Sequence, residues 1–154
     1  MELIKAALLL SILFSIKIYS QFSLDRFITD PLDKTLVSVK DSLAGRLTEI
    51  NFRNNLTGIK YYDWIAPVSI RVLFLFNKDG REVSKGISNA KNSKKDVQIL
   101  FNIIFKELTN KFGGYMTKNS LFGVTRYSWL GVNGDLIALM CEPDRAKLTI
   151  ITFK

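Results

Sequence analysis

The sequence predicts an α+β domain, a mainly antiparallel β-sheet packed with two α-helices and ending in a three-stranded meander. Three observations carry this expectation. Val68, Ile70, Val72, Phe74 and Phe76 alternate with their neighbours, as a strand with one buried face requires. Val97, Leu100, Phe101, Ile104, Leu108 and Phe112 recur at helical spacing. The last third divides into three β-like runs separated by turn residues.

In chain order, Asp30-Pro31-Leu32-Asp33 reads as a helix start, with Asp30 as cap and Pro31 at the first helical position. Leu32, Leu36, Val39 and Leu43 follow at helical spacing, and Gly45 closes the segment. A rival reading makes residues 35–39 a strand on their β-branched content. Residues 47–52 form a modest strand, Asn54-Asn55 and Gly58 mark a turn, and residues 59–64 are rich in aromatics. The strand that begins after Pro67 ends at Asn77-Lys78-Asp79-Gly80, a hairpin turn, and residues 81–87 return antiparallel.

Residues 88–95 form a polar, basic link. Ser93 and Asp96 open the second helix in the manner of a capping box, and Gly113-Gly114 ends it. Ile99 and Ile103 lie on nearly the opposite side from the main apolar stripe. They offer either a strip covered by a loop or by the N-terminal segment, or a partner-binding strip. The meander consists of residues 124–130, 135–142 and 146–153, with turns at 131–134 and 143–145. Its middle strand is apolar on both faces, which places it inside the sheet and asks for cover on both sides.

The first twenty residues differ from the rest. Ala6 to Ile16 is apolar apart from Ser11 and Ser15, a run of signal-peptide length and too short to span a bilayer of about 30 Å as a helix. Ser20 offers a small residue for cleavage before Gln21. Residues 1–20 are therefore expected to be a signal peptide and residues 21–154 a single domain, secreted or periplasmic. The alternatives are a short N-terminal membrane anchor and an apolar helix that stays with the fold. The net charge of +8 becomes +7 without that segment. The exported domain has no disulfide to staple it, since Cys141 is the only cysteine and lies in an apolar run.

Composition excludes much chemistry. With no His among 154 residues, there is no Ser-His-Asp or Cys-His pair and no His-ligated metal. A single Cys removes Cys-rich metal sites. Phosphate loops, dinucleotide loops, calcium loops and Gly-x-Ser-x-Gly are absent. Ser88-Asn89-Ala90-Lys91 alone fits Ser-x-x-Lys, in a polar loop that gives no buried base. Asp63, Asp135, Glu142 and Asp144 are the carboxylates that folding could pair for hydrolysis. No catalytic residue, cofactor or metal site is assigned.

Tyr61-Tyr62-Asp63-Trp64, with Tyr127 and Trp129 as further members, is the most suggestive cluster. Such rings stack on sugars or grip a protein, or else plug the core of a sheet. Lys91, Lys94 and Lys95, with Lys85 nearby, form a basic stretch without aromatics, so nucleic acid is not an expected partner. Asn55-Leu56-Thr57 matches a glycosylation acceptor, relevant only in a eukaryotic source.

These features point to an exported, non-catalytic binding or interaction domain. Its partner would be an unidentified protein or glycan in the cell envelope or outside the cell, and the membrane enters only through the signal peptide. Tyr61, Tyr62 and Trp64 are the first candidate contacts, Ile99 and Ile103 the second. The alternatives are a small exported hydrolase using paired carboxylates or a Ser nucleophile, and a structural or oligomerising envelope protein.

Overall fold

The computed structural model describes residues 22–154. The signal-peptide expectation for residues 1–20 lies outside them. The order is α1 (Leu24–Thr29), α2 (Leu36–Ser42), β1 (Thr48–Asn51), β2 (Thr57–Ile65), β3 (Val68–Phe76), β4 (Glu82–Asn89), α3 (Lys94–Phe112), β5 (Thr117–Leu121), β6 (Val124–Leu130), β7 (Leu136–Glu142) and β8 (Lys147–Phe153), with a 3-10 turn at Pro143–Arg145. All eight strands join one antiparallel sheet in the order β1-β2-β3-β4-β8-β7-β6-β5. The fold class is α+β, as the sequence predicts.

Each half of the chain has the same plan, helix then four-stranded meander, although no sequence repeat announces it. The halves meet where β4 pairs with β8. The C-terminal meander gains a strand over the expected three, because Gly123 and Phe122, both at positive φ, turn β5 back along β6.

The helical N-terminus departs from the sequence reading. Asp30 does not start a helix; it ends α1, a helix that the sequence pattern does not announce. Helix α2 starts five residues later, where Thr35 and Ser38 exchange reciprocal capping bonds at 3.2 Å each. Thr35 also bridges Arg81, so the strand-like character of that residue is used at one position only. By contrast, α3 begins as expected, with Ser93 Oγ accepting from the Asp96 amide at 3.2 Å. Gly113, at φ 77°, ends it.

Helix α3 lies across the sheet against β3, β4, β6, β7 and β8, and α1 packs against α3. Its buried residues Val97, Leu100, Ile104 and Leu108 meet the inward row of β3 and Ile87, Ile137, Leu139, Leu148 and Ile150. The core is therefore a single layer between the helices and one face of the sheet. Trp129, fully buried in β6, donates its indole N–H to the Gly113 carbonyl at 3.1 Å and so caps the end of α3. Among the described residues, no helix is long and apolar enough to cross a membrane.

Candidate functional site

Strand β2 decides the fate of the aromatic cluster. Successive side chains on a strand point to opposite faces. Tyr61 therefore turns inward, buried and stacked on Phe74 at 6.3 Å between ring centroids. Burial, with Asp63 adding to it, raises its phenol pKa to about 12. Tyr62 and Trp64 turn outward and are 56% and 57% exposed. Tyr62 stands opposite Arg71 and lies 6.0 Å from the Lys60 ammonium.

Tyr127 and Trp129 do not join them. Five strand spacings separate β2 from β6, about 24 Å. Tyr127 and Trp129 instead share the helix-facing side with Phe105 of α3, at 5.2 and 5.6 Å. Ile99 and Ile103 are half-buried and packed against the edge of the core.

Among the described residues, no helix lies over the side of the sheet that carries Tyr62 and Trp64. The strand register arranges that side in rows. One row runs Ile50, Gly58, Leu75, Ser84, Phe153, Leu136 and Leu130. The next runs Lys60, Leu73, Gly86, Ile151, Ala138 and Ser128. A third runs Tyr62, Arg71, Ser88, Thr149, Met140 and Arg126. Beyond it, Trp64 faces Ser69 and Lys147 faces Glu142. The face is thus apolar at one end of the strands and basic at the other. Its apolar members belong to β1, β3, β6, β7 and β8, of which the sequence marks β7 as apolar on both faces.

In the middle, on β4, Gly86 leaves a gap. A Cβ there would stand 3.1 Å from the Ile150 carbonyl oxygen and 3.6 Å from Ile151. The missing side chain opens a trough of about 240 Å³ between Leu73 and Leu75 on one side and Ile151 on the other, with Arg71 and Lys147 at its end. Arg71 makes no hydrogen bond or ion pair with any described residue. Lys147 shares Glu142, at 3.6 Å, with Arg145.

Polar groups are also buried on the helix side, near where the N-terminal segment crosses the sheet. Lys85 is 1% exposed, donates to the Asp30 carbonyl at 2.6 Å and sits 5.2 Å from the Phe27 ring. It is therefore absent from the basic loop, where Lys91, Lys94 and Lys95 are exposed. Burial pushes its pKa down. Glu82, also buried, accepts from the Lys34 amide at 3.1 Å, and burial pushes its pKa up. Together they fasten α1 and the link to α2 onto the sheet. Neither signals itself in the sequence, because the inward positions of β4 interleave Glu82, Lys85 and Asn89 with a single Ile87.

The carboxylates named for hydrolysis occupy separate places. Asp135 is buried just before β7 and Glu142 ends that strand, about 24 Å along it. Asp63 lies four strand spacings from β7, about 19 Å. Asp144 is exposed in the 3-10 turn. Cys141 is half-buried on the helix side, and burial, then Glu142, raises its thiol pKa. Among the described residues, no three His, Cys, Asp or Glu side chains are grouped to hold a metal. No protein-family model, curated protein or solved structure matches the chain.

Proposed function

We propose that the chain is an exported, non-catalytic binding domain and that its contact surface is the uncovered face of the sheet. One observation carries this reading: the described helices lie on one face of an eight-stranded sheet, while the other face keeps rows of half-buried apolar side chains. Antiparallel sheets commonly expose one face, but that face is then mostly polar. Here Leu73, Leu75, Ile151, Phe153 and Leu136 line it, with Tyr62 and Trp64 at its margin. Contiguous apolar patches of this kind mark binding surfaces. The apolar run and cleavage pattern of residues 1–20 support export.

The test uses the uncharged dye Nile red with natively folded protein. Dye emission rises with wild type and falls to background with the double variant Leu73→Gln, Ile151→Gln, whose circular dichroism is unchanged. Native protein that leaves the dye dark, or a folded double variant that binds it equally, overturns the reading.

A further inference from the structure

We propose that the trough on the open face is a site for a single-chain amphiphile with an anionic head, its chain lying along Gly86 and its head held by Arg71 and Lys147. The inference rests on the binding reading above and names the chemistry that the surface selects. Shape comes first. At about 240 Å³ the trough is below the usual range for drug-sized ligands, about 300–1,000 Å³, so it takes one narrow chain. Its floor is backbone at Gly86, and its walls are Leu73, Leu75 and Ile151.

Length follows from the register. From the Ser84 row to the Ser88 row is four residues along β4, about 14 Å. An extended chain advances about 1.2 Å per bond, so some eleven bonds run from the apolar end to the basic end. Charge then fixes the head. Among the described residues, the open face carries Lys60, Arg71, Arg126 and Lys147 against one carboxylate, Glu142. Arg71 stands at the mouth of the trough, unpaired among the described residues, with a fork that suits a carboxylate or phosphate. A second copy seated on this face would bring the same excess of cations to the seam from both sides, with one acid each to offset it.

Isothermal titration with dodecanoate below its micelle concentration, against uncharged dodecanol, tests the site on purified protein. Dodecanoate is expected to bind one to one and more tightly than dodecanol. Octanoate is expected to bind about a hundredfold more weakly, from four lost methylenes. Arg71→Gln is expected to weaken dodecanoate about tenfold and to leave dodecanol unchanged. Lys147→Gln acts in the same direction, and both variants must keep the wild-type unfolding midpoint. Equal affinity for acid and alcohol, or an Arg71→Gln variant that binds dodecanoate as wild type does, overturns the proposal. So does binding to phosphatidylglycerol vesicles without binding of free dodecanoate, or a dimer in sedimentation that dodecanoate does not dissociate. If Nile red still binds in those cases, the open-face reading stands and only the ligand is wrong. If it does not, both fall.

Discussion

Tyr61, Tyr62 and Trp64 lie within four residues of one strand yet face different surroundings, so truncating them separates buried from open side chains. Tyr61→Ala removes a ring that is 8% exposed and stacked on Phe74. Aromatic side chains bury about 150–250 Å² each, which at about 25 cal/mol per Å² corresponds to some 4–6 kcal/mol as an upper bound. Measured aromatic truncations in cores cost about 3–5 kcal/mol, and that is the expected loss. The double variant Tyr62→Ala, Trp64→Ala removes rings already more than half in water. Its cost is mainly the lost strand preference, about 1 kcal/mol per site or less. The single variant therefore loses more stability than the double. Urea unfolding followed by circular dichroism reads both, with equal slopes confirming comparable unfolded states. A double variant that loses as much as Tyr61→Ala refutes the reasoning, because it means that the face holding Tyr62 and Trp64 is covered in the folded protein.

Other outcomes follow from the buried polar groups and the N-terminus. Lys85→Ala is expected to cost about 3–5 kcal/mol, since it strands the Asp30 carbonyl and Glu82 and leaves a void. Lys85→Met keeps the stem against Phe27 and is expected to cost about 1–3 kcal/mol for the lost charged donor; urea midpoints equal to wild type would sink this account. Glu82 has a raised folded pKa, so its contribution to stability is complete below the ordinary 4.5 and is lost as pH rises through the raised value. Wild type is thus expected to lose stability relative to Glu82→Gln across that interval, and parallel stability–pH profiles would contradict it. In ultraviolet titration one phenol ionises at about 12, and Tyr61→Phe removes that step; if the step persists, the assignment is wrong. On the export reading, intact mass of the mature protein begins at Gln21, and retention of residues 1–20 would leave an anchor, or a helix kept with the fold, as the better account of that segment.

Much of the fold was legible because local pattern and burial agree. The alternation of β3, the Ser93 cap, the stripe on α3 and the turns at Gly80 and Gly134 all state in sequence what packing then uses. The N-terminal helices were misread because Asp30-Pro31 carries a local start signal, while long-range bonds decide the outcome. Asp30 ends α1 with its carbonyl held by Lys85, 55 residues away. The aromatic cluster was legible as residues but not as a site. Period-two alternation sends Tyr61 inward and Tyr62 and Trp64 outward, yet only the packing says which side the described helices cover. The trough was hidden for a related reason. An isolated Gly86 in a strand reads as a weakness, and its meaning comes from Leu73 and Ile151 on neighbouring strands, one of them 65 residues away in sequence.

The strand order has a kinetic meaning. Each meander can form from local hairpins, but the seam between them is β4 against β8, the last of the described strands in sequence. Until residues 147–153 are available, β4 offers an unpaired inner edge and the core-facing row Leu148, Ile150 and Thr152 is missing beneath α3. Closing that seam is a contact across about sixty residues, the slow, non-local kind. A growing chain therefore stays open until residues 147–153 arrive, and a truncation before Lys147 removes the centre of the sheet, not its edge.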